Sequence, residues 1–215
     1  MSGLIVTIDG PGGTGKSTVS RVVATKAELP HLDTGAFYRA ATLAVLGAGV
    51  DPEDAEAVER VVADLEMSQE QGRMFVDGRD VSTEIRGEAV TSAVSAVSAH
   101  PGIRRRLVEM QRTWVVEHRG RGIVEGRDIG SVVFPDADIK IYLDATPEVR
   151  ARRRAIETAE DYHEVLEDLE RRDGLDSTRP ASPLQVPEGA VVMDTSSLSL
   201  DQVVEGILRL IRAKS

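Results

Sequence analysis

A run from Leu4 to Ile8 that is hydrophobic but for the β-branched Thr7 stops at Asp9 and gives way to glycines, the pattern of a strand covered on both faces. The glycine stretch opens onto Lys16–Lys26, which predicts a helix. Pro30–Asp33 predicts a short second strand, and "TGAFYRAATLAVLGAG" a helix that glycine stops. "PEDAEAVERVVADLE" predicts a further helix with Pro52 just inside its start.

The period then changes. In "LEMSQEQGRMFVDGRDVS" short apolar segments are punctuated by Gln-Gly and by Asp77-Gly78, a strong hairpin signal, so a small antiparallel meander is expected at Leu65–Val81, inserted between helices. "EAVTSAVSAVSAH" predicts a helix that meets Pro101, and "GIRRRLVEMQRTWVVEH" predicts the next one. "RGIVEGRD" and "DIKIYLDA" read as core strands separated by a glycine-containing loop. A strongly charged helical stretch covers Pro147–Asp176, "GAVVMDT" is a last strand and "SLDQVVEGILRLIRAK" a closing amphipathic helix. About five core strands interleaved with helices make an α/β fold with a parallel sheet wound on both faces.

Composition narrows what such a fold can do. A chain of 215 residues that is 41% hydrophobic supports one sizeable α/β core with a small appended lobe. Acidic residues outnumber basic ones, 36 − 26 = 10, which argues against nucleic acid or an anionic membrane as partner. An anionic ligand therefore has to be held by a local cluster. The absence of cysteine excludes a disulfide framework, a thiolate nucleophile and a cysteine-ligated metal. Its apolar runs fall far short of a membrane span and the first lacks a basic flank, so a soluble cytoplasmic protein is expected. Arginines that cluster beside glycine or aspartate carry weight here, because their planar forks bind phosphate oxygens bidentately.

Gly10-x-x-x-x-Gly15-Lys16-Ser17 matches the phosphate-binding P-loop motif and has the required context, a strand before it and a helix after it. Gly10, Gly12, Gly13 and Gly15 let successive N–H groups curl around one anion at a helix N-terminus. Lys16 is placed to bridge the outer phosphates and Ser17 to hold Mg²⁺. A GTPase switch needs Asp-x-x-Gly and Asn-Lys-x-Asp downstream of the loop, and neither occurs. A kinase instead needs an acceptor site. In "LDTGAFYR", Thr34, Tyr38 and Arg39 follow a strand end, and in "VEGRDIG" Arg127 and Asp128 follow another, both at the sheet edge where ligands bind in open α/β folds. In "ERRDGLDSTR", Arg172, Asp176 and Arg179 share one face if the helix continues.

Together "GPGGTGKST", "LDTGAFYR", "DGRDVSTEIR", "VEGRDIGSVVFPDADIKIYLDA" and "ERRDGLDSTRPASPL" closely resemble bacterial cytidylate kinases, P-loop enzymes that phosphorylate CMP and dCMP, in order and over nearly the whole chain. The resemblance implies a single P-loop kinase unit. Its core takes 1–50, 100–146 and 180–215, a CMP-binding lobe with the β insert takes about 51–99, and a short helical lid about 147–179. It implies ATP bound by residues 10–18, including Pro11, Thr14 and Thr18, with Mg²⁺, and a monomer acting on ATP and CMP or dCMP. It implies CMP contacts from Thr34, Tyr38, Arg39, Ser95, Arg104, Arg127, Asp128, Arg172, Asp176 and Arg179. In that pattern Ser95, Arg127 and Asp128 read cytosine, Asp176 and Arg179 hold the sugar, and Arg39, Arg104 and Arg172 face the phosphate. Thr34 stands where the family often has serine, and Leu175 where a charge is common. Within "RARRRAIE" either Arg152 or Arg154 would join Lys16 at the transferring phosphoryl, since helix neighbours point about 100° apart. The residues read without the resemblance leave open other P-loop kinases, for UMP, shikimate or dephospho-coenzyme A, and a nucleotide-binding regulatory protein.

Overall fold

The apolar run Leu4–Ile8 forms the first strand, β1 (Leu4–Asp9), and Val6, Thr7, Ile8 and Asp9 are fully buried. In the computed structural model, which describes residues 3–178 and 182–214, the glycine stretch then turns sharply into α1 (Lys16–Ala27). Gly10, Gly13 and Gly15 have φ of 143°, 77° and 87°, backbone that a side chain disfavours. No side chain caps the start of α1, so its first N–H groups have no side-chain acceptor at the cap. Helix α1 ends at left-handed Glu28, and β2 (His31–Asp33) follows.

The chain divides into two compact units, 1–31 with 115–215 and 32–114. In the second, α2 (Thr34–Gly47) starts where the Asp33 carboxylate accepts from the Ala36 N–H, and it buries Phe37, Ala40, Ala41 and Val45. Helix α3 (Ala55–Ala63) begins after Pro52 rather than around it, because the Asp54 side chain caps the Ala57 N–H at 3.0 Å. Strands β3 (Met67–Glu70), β4 (Arg73–Val76) and β5 (Arg79–Asp80) form the expected antiparallel meander. Both hairpin turns, Gln71-Gly72 and Asp77-Gly78, have positive φ at both residues, the geometry that matches strand twist. Helix α4 (Glu88–Ala99) and helix α5 (Pro101–Glu117) are separated by His100, with Pro101 opening the second. The sequence suggests lobe boundaries near 51 and 99, whereas α2 and most of α5 join this unit because α2 packs on α3 and α4.

In the first unit, β6 (Arg121–Glu125) and β7 (Ile139–Asp144) flank β1 in parallel register, Ile8 opposite Glu125 and Ile141. The five-stranded sheet has the order β2-β6-β1-β7-β8, with β8 (Val191–Asp194) at its edge. Helix α8 (Leu200–Lys214) lays Val203, Val204, Ile207, Leu208 and Ile211 onto it beside Val19 and Val23 of α1. The charged stretch after Pro147 is not one helix. Helices α6 (Pro147–Thr158) and α7 (Tyr162–Thr178) are split at left-handed Ala159, and the Asp161 carboxylate caps the new helix at His163 N–H. The pair packs through Ala151, Val165 and Leu169.

Added methyl groups at Gly10 and at Gly47 should have opposite effects. A Cβ at Gly10 would lie 2.0 Å from the Leu143 carbonyl oxygen, whereas one at Gly47 meets nothing within 4 Å and suits a helix. Gly10→Ala should cost at least about 3 kcal/mol, and Gly47→Ala should stabilise by about 0.5–1 kcal/mol. Denaturant midpoints of the two variants check both signs.

Candidate active site

Strands β1, β6 and β7 bring Asp9, Glu125 and Asp144 to one edge of the sheet, and the P-loop leaves from the centre of that edge. The loop folds on itself. Lys16 Nζ donates to the Pro11 carbonyl at 2.6 Å and lies 3.4 Å from Thr14 Oγ1, whose own hydroxyl donates to the same carbonyl at 3.1 Å. Burial pushes the Lys16 ammonium down to about 7, Arg127 adds repulsion, and Glu125, Asp9 and Asp173 oppose the shift. Thr18 lies exposed on the first turn of α1, and Pro11 is buried.

Glycine lets arginines approach the loop. A Cβ at Gly12 would stand 3.4 Å from Arg127 Nη2, and one at Gly13 would stand 3.0 Å from Arg150 Cβ. Arg150, buried on α6, donates to the Gly12 carbonyl at 3.0 Å, to the Ala145 carbonyl at 3.0 Å and to Asp173. Arg127 Nε lies 2.9 Å from Asp176 and its Nη1 lies 3.6 Å from Asp173. On the same face of α7, Arg172 pairs with Asp168 at 3.7 Å. Its guanidinium is pushed below its ordinary value, first by burial and then by repulsion from Arg127, with Arg154 adding to it. Arg127 Nη1, Arg172 Nε and Asp173 Oδ1 are buried without a hydrogen-bond partner among the described residues. Buried donors left in that state around a phosphate loop mark where an anion's oxygens fit.

The face of α7 is therefore turned inward rather than solvated, with Asp176 buried. Arg179 lies outside the described residues. Of the charged run on α6, Arg152 is exposed, Arg153 holds the Thr195 carbonyl at 2.6 Å and half-buried Arg154 pairs with Glu157 at 3.2 Å. Arg150 and Asp173 were not singled out from sequence. Arg150 stands one turn before Arg154, and that spacing is the signal that would have found it.

A second polar chain runs under the loop. Ser17 Oγ donates to Glu125 Oε2 at 2.9 Å, and Glu125 Oε1 lies 3.1 Å from His31 Nε2. Glu125 is buried at the end of β6, where an apolar run closing on an acid could have marked it. Asp128 is also buried, just before the π-helical turn Ile129–Val133.

The second unit gathers its own set. The Arg104 guanidinium sits 5.4 Å from the centre of the Tyr38 ring and donates to the Ser98 carbonyl at 3.3 Å. Arg39 donates to Thr91 Oγ1 at 2.9 Å and to the Ile85 carbonyl at 3.2 Å. Thr34 is buried at the start of α2, and Ser95 is buried on α4. Asp33 pairs with Arg86 at 3.6 Å while capping α2.

No described helix is long and apolar enough to cross a membrane. In solved structures the fold recurs in a Thermus thermophilus protein, 20% identical with a TM-score of 0.51 over 100% of this chain and 98% of that one. It recurs also in a protein from Eubacterium ventriosum, 12% identical with a TM-score of 0.55 over 98% of each chain. Sequence comparison is more specific. A family profile described as cytidylate kinase matches residues 6–213. The cytidylate kinase of Mycobacterium leprae is 51% identical over 100% of this chain and 98% of its own length. That of Mycolicibacterium paratuberculosis is 52% identical over 100% and 97%, and that of Corynebacterium efficiens 49% over 99% and 96%. With the phosphate loop, its arginines and a full-length match all in agreement, the chain belongs to the cytidylate kinase family.

Proposed function

We propose that residues 10–18 hold the triphosphate of ATP and that Thr34, Tyr38, Arg39, Ser95, Arg104, Arg127, Asp128, Arg172, Asp176 and Arg179 hold CMP or dCMP. The chain is a phosphotransferase that makes CDP or dCDP and ADP. The observation that carries the residue assignment is the pair of buried donor atoms without a hydrogen-bond partner among the described residues, Arg127 Nη1 and Arg172 Nε, beside the loop that Lys16 crosses.

An oxygen of the CMP phosphate attacks the γ-phosphorus, the new O–P bond forms, and the bond from phosphorus to the β–γ bridging oxygen breaks to leave ADP. The nucleophile is already an anion, so no strong base is required. Lys16 and the arginines supply positioning and charge neutralisation. Closure of the α6–α7 pair over the donor keeps water out. The paired hard oxygens of Ser17 and Glu125 fit a magnesium ion, which bound there with ATP would neutralise phosphate charge. Glu125 orients the Ser17 hydroxyl for that purpose, and His31 steadies Glu125.

With only 3% aromatic residues, the chain has few rings to stack on a base, so base choice rests on hydrogen bonds. Buried Asp128 accepts and Arg127 donates. This favours a cytosine acceptor over a shikimate or sugar one, which needs no base-reading pair.

A coupled ADP-release assay across nucleoside monophosphates should show turnover with CMP and dCMP well above UMP and AMP. Lys16→Ala should lower kcat by about 100-fold or more. ADP release indifferent to every acceptor would sink this reading. In Asp128→Ala the preference for CMP over UMP should fall at least about tenfold while the KM for ATP stays within about twofold; equal losses for both nucleotides overturn that role. Lys16 also predicts a proton linkage. Free protein at pH 8 holds Lys16 mostly neutral because its value is about 7, and a triphosphate beside it restores the ammonium. Binding at pH 8 should therefore take up close to one proton. Calorimetry in buffers of different ionisation enthalpy reads the uptake, which Lys16→Met should abolish.

A further inference from the structure

The transfer just described gives no task to Asp9, the last residue of β1, although its carboxylate is completely buried beside the site. Oδ1 accepts from the Ile129 N–H at 2.7 Å and Oδ2 from the Gly130 N–H at 2.8 Å, so both oxygens are committed to adjacent backbone amides. Burial pushes the carboxyl up to about 6, and the Asp128 charge adds to that shift. The two amides and Lys16 pull the other way without cancelling it. An anion kept at such cost at a strand end calls for a reason other than strand pairing.

On the β7 side Asp9 still pairs with Tyr142, but pairing with β6 stops one residue earlier, at Ile8 opposite Glu125. The Gly126 N–H donates to the Ile8 carbonyl at 3.0 Å, and beyond it the chain leaves the sheet for the turn at Ile129–Val133. Arg127 and Asp128 therefore hang between two anchors on consecutive residues of β1, the Ile8 carbonyl before them and the Asp9 carboxylate after them. Asp128 has φ −139° and ψ 24°, outside the regular strand and helix regions, and its carbonyl accepts from the Val132 and Val133 N–H groups at 2.9 and 3.3 Å. The fit between Gly130 and β1 is tight. A Cβ at Gly130 would stand 2.8 Å from Thr7 Oγ1 and 3.2 Å from Asp9 Oδ2.

We propose that Asp9 is a positioning residue for acceptor selectivity: its carboxylate clamps the Ile129 and Gly130 amides and so holds Arg127 and Asp128 in the one backbone arrangement that reads the base. The same residue precedes Gly10, so the strand end that launches the phosphate loop also sets the base-reading pair. A carboxylate is required because two parallel N–H donors need two acceptor oxygens, and asparagine would turn an NH₂ group toward one of them. This inference rests on the assignment of Arg127 and Asp128 to the base.

The test compares wild type, Asp9→Asn and Gly130→Ala, the last keeping the carboxylate in the sequence while its added Cβ crowds the same backbone against Thr7 and Asp9. Steady-state kinetics with CMP and UMP, together with affinity for a non-hydrolysable ATP analogue, are measured on each. Both variants should raise the KM for CMP and lose at least about tenfold of the CMP-over-UMP preference, with analogue affinity within about twofold. Asp9→Asn combined with Asp128→Ala should be little worse in selectivity than Asp128→Ala alone, since one acts through the other. Retained preference in Asp9→Asn, or equal loss toward both acceptors with parallel loss of analogue affinity, overturns the proposal. Amide exchange in the wild-type protein gives a reading that needs no variant to fold: Ile129 and Gly130 must be strongly protected, and fast exchange there also overturns it. Wild type that shows no preference for CMP sinks the base-reading assignment itself, whereas wild type that prefers CMP beside an Asp9→Asn variant that does the same sinks only the role of Asp9.

Discussion

Positive charge has to be kept out of water around Gly12 before any nucleotide arrives, and the architecture of the first unit follows from that constraint. Lys16, Arg127, Arg150 and Arg172 crowd one side of the P-loop, close enough that Arg127 repels both Lys16 and Arg172. Left alone they would be costly in a low-dielectric setting. The offset comes from Asp173, Asp176 and Glu125, and from backbone carbonyls at Pro11, Gly12 and Ala145 that point at the cations. The compensation is incomplete, since buried donors on Arg127 and Arg172 stay unbonded among the described residues. An arrangement short of acceptors has a standing preference for a polyanion, which brings many oxygens at once. The overall charge of −10 makes that local surplus the more telling, because nothing about the whole surface attracts phosphate.

Strand β1 is where the constraint is met mechanically. Its two neighbours run parallel to it, so three strand ends converge and the loop from the middle one is hemmed in on both sides. That closeness explains why Gly10 faces the Leu143 carbonyl with no room for a side chain, and why Gly130 lies against Thr7 and Asp9. Close packing at these points turns backbone position into side-chain position, with little slack for either to drift. The α6–α7 pair is built differently. Beside its small apolar cluster and its helix break at Ala159, polar contacts tie it to the loop and its surroundings, Arg150 to the Gly12 carbonyl and Asp173 and Asp176 to Arg127. Such ties give way more readily than an apolar core when an anion competes for the arginine.

Much of this was legible beforehand, and for identifiable reasons. The P-loop is a local code, in which glycine spacing and flanking elements carry the meaning within ten residues. The β meander announced itself through Asp77-Gly78, whose conformational demand is a property of the dipeptide. Two boundaries were misread because a capping carboxylate outweighed a pattern: Asp54 starts α3 after Pro52, and Asp161 restarts the chain as α7 within a stretch whose charge looked uniformly helical. Arg150 was hidden inside an arginine run. Exposure of Arg152 and burial of Arg150 depend on how α6 is rotated, and only the packing of Ala151 against Val165 and Leu169 decides that rotation.

The sequence by itself determined the α/β class, the P-loop motif with Lys16 and Ser17, and the resemblance that places the chain in its family, because each is written in residues adjacent along the chain or in ordered motifs. Tertiary structure alone decided which charges meet. That Glu125 takes the Ser17 hydroxyl, that Asp173 stands between Arg127 and Arg150, and that Asp9 closes on the amides of Ile129 and Gly130 are contacts across about a hundred residues or from separate helices. No local pattern encodes them, since the pairing of buried charges depends on strand order and helix rotation, which the whole core sets together.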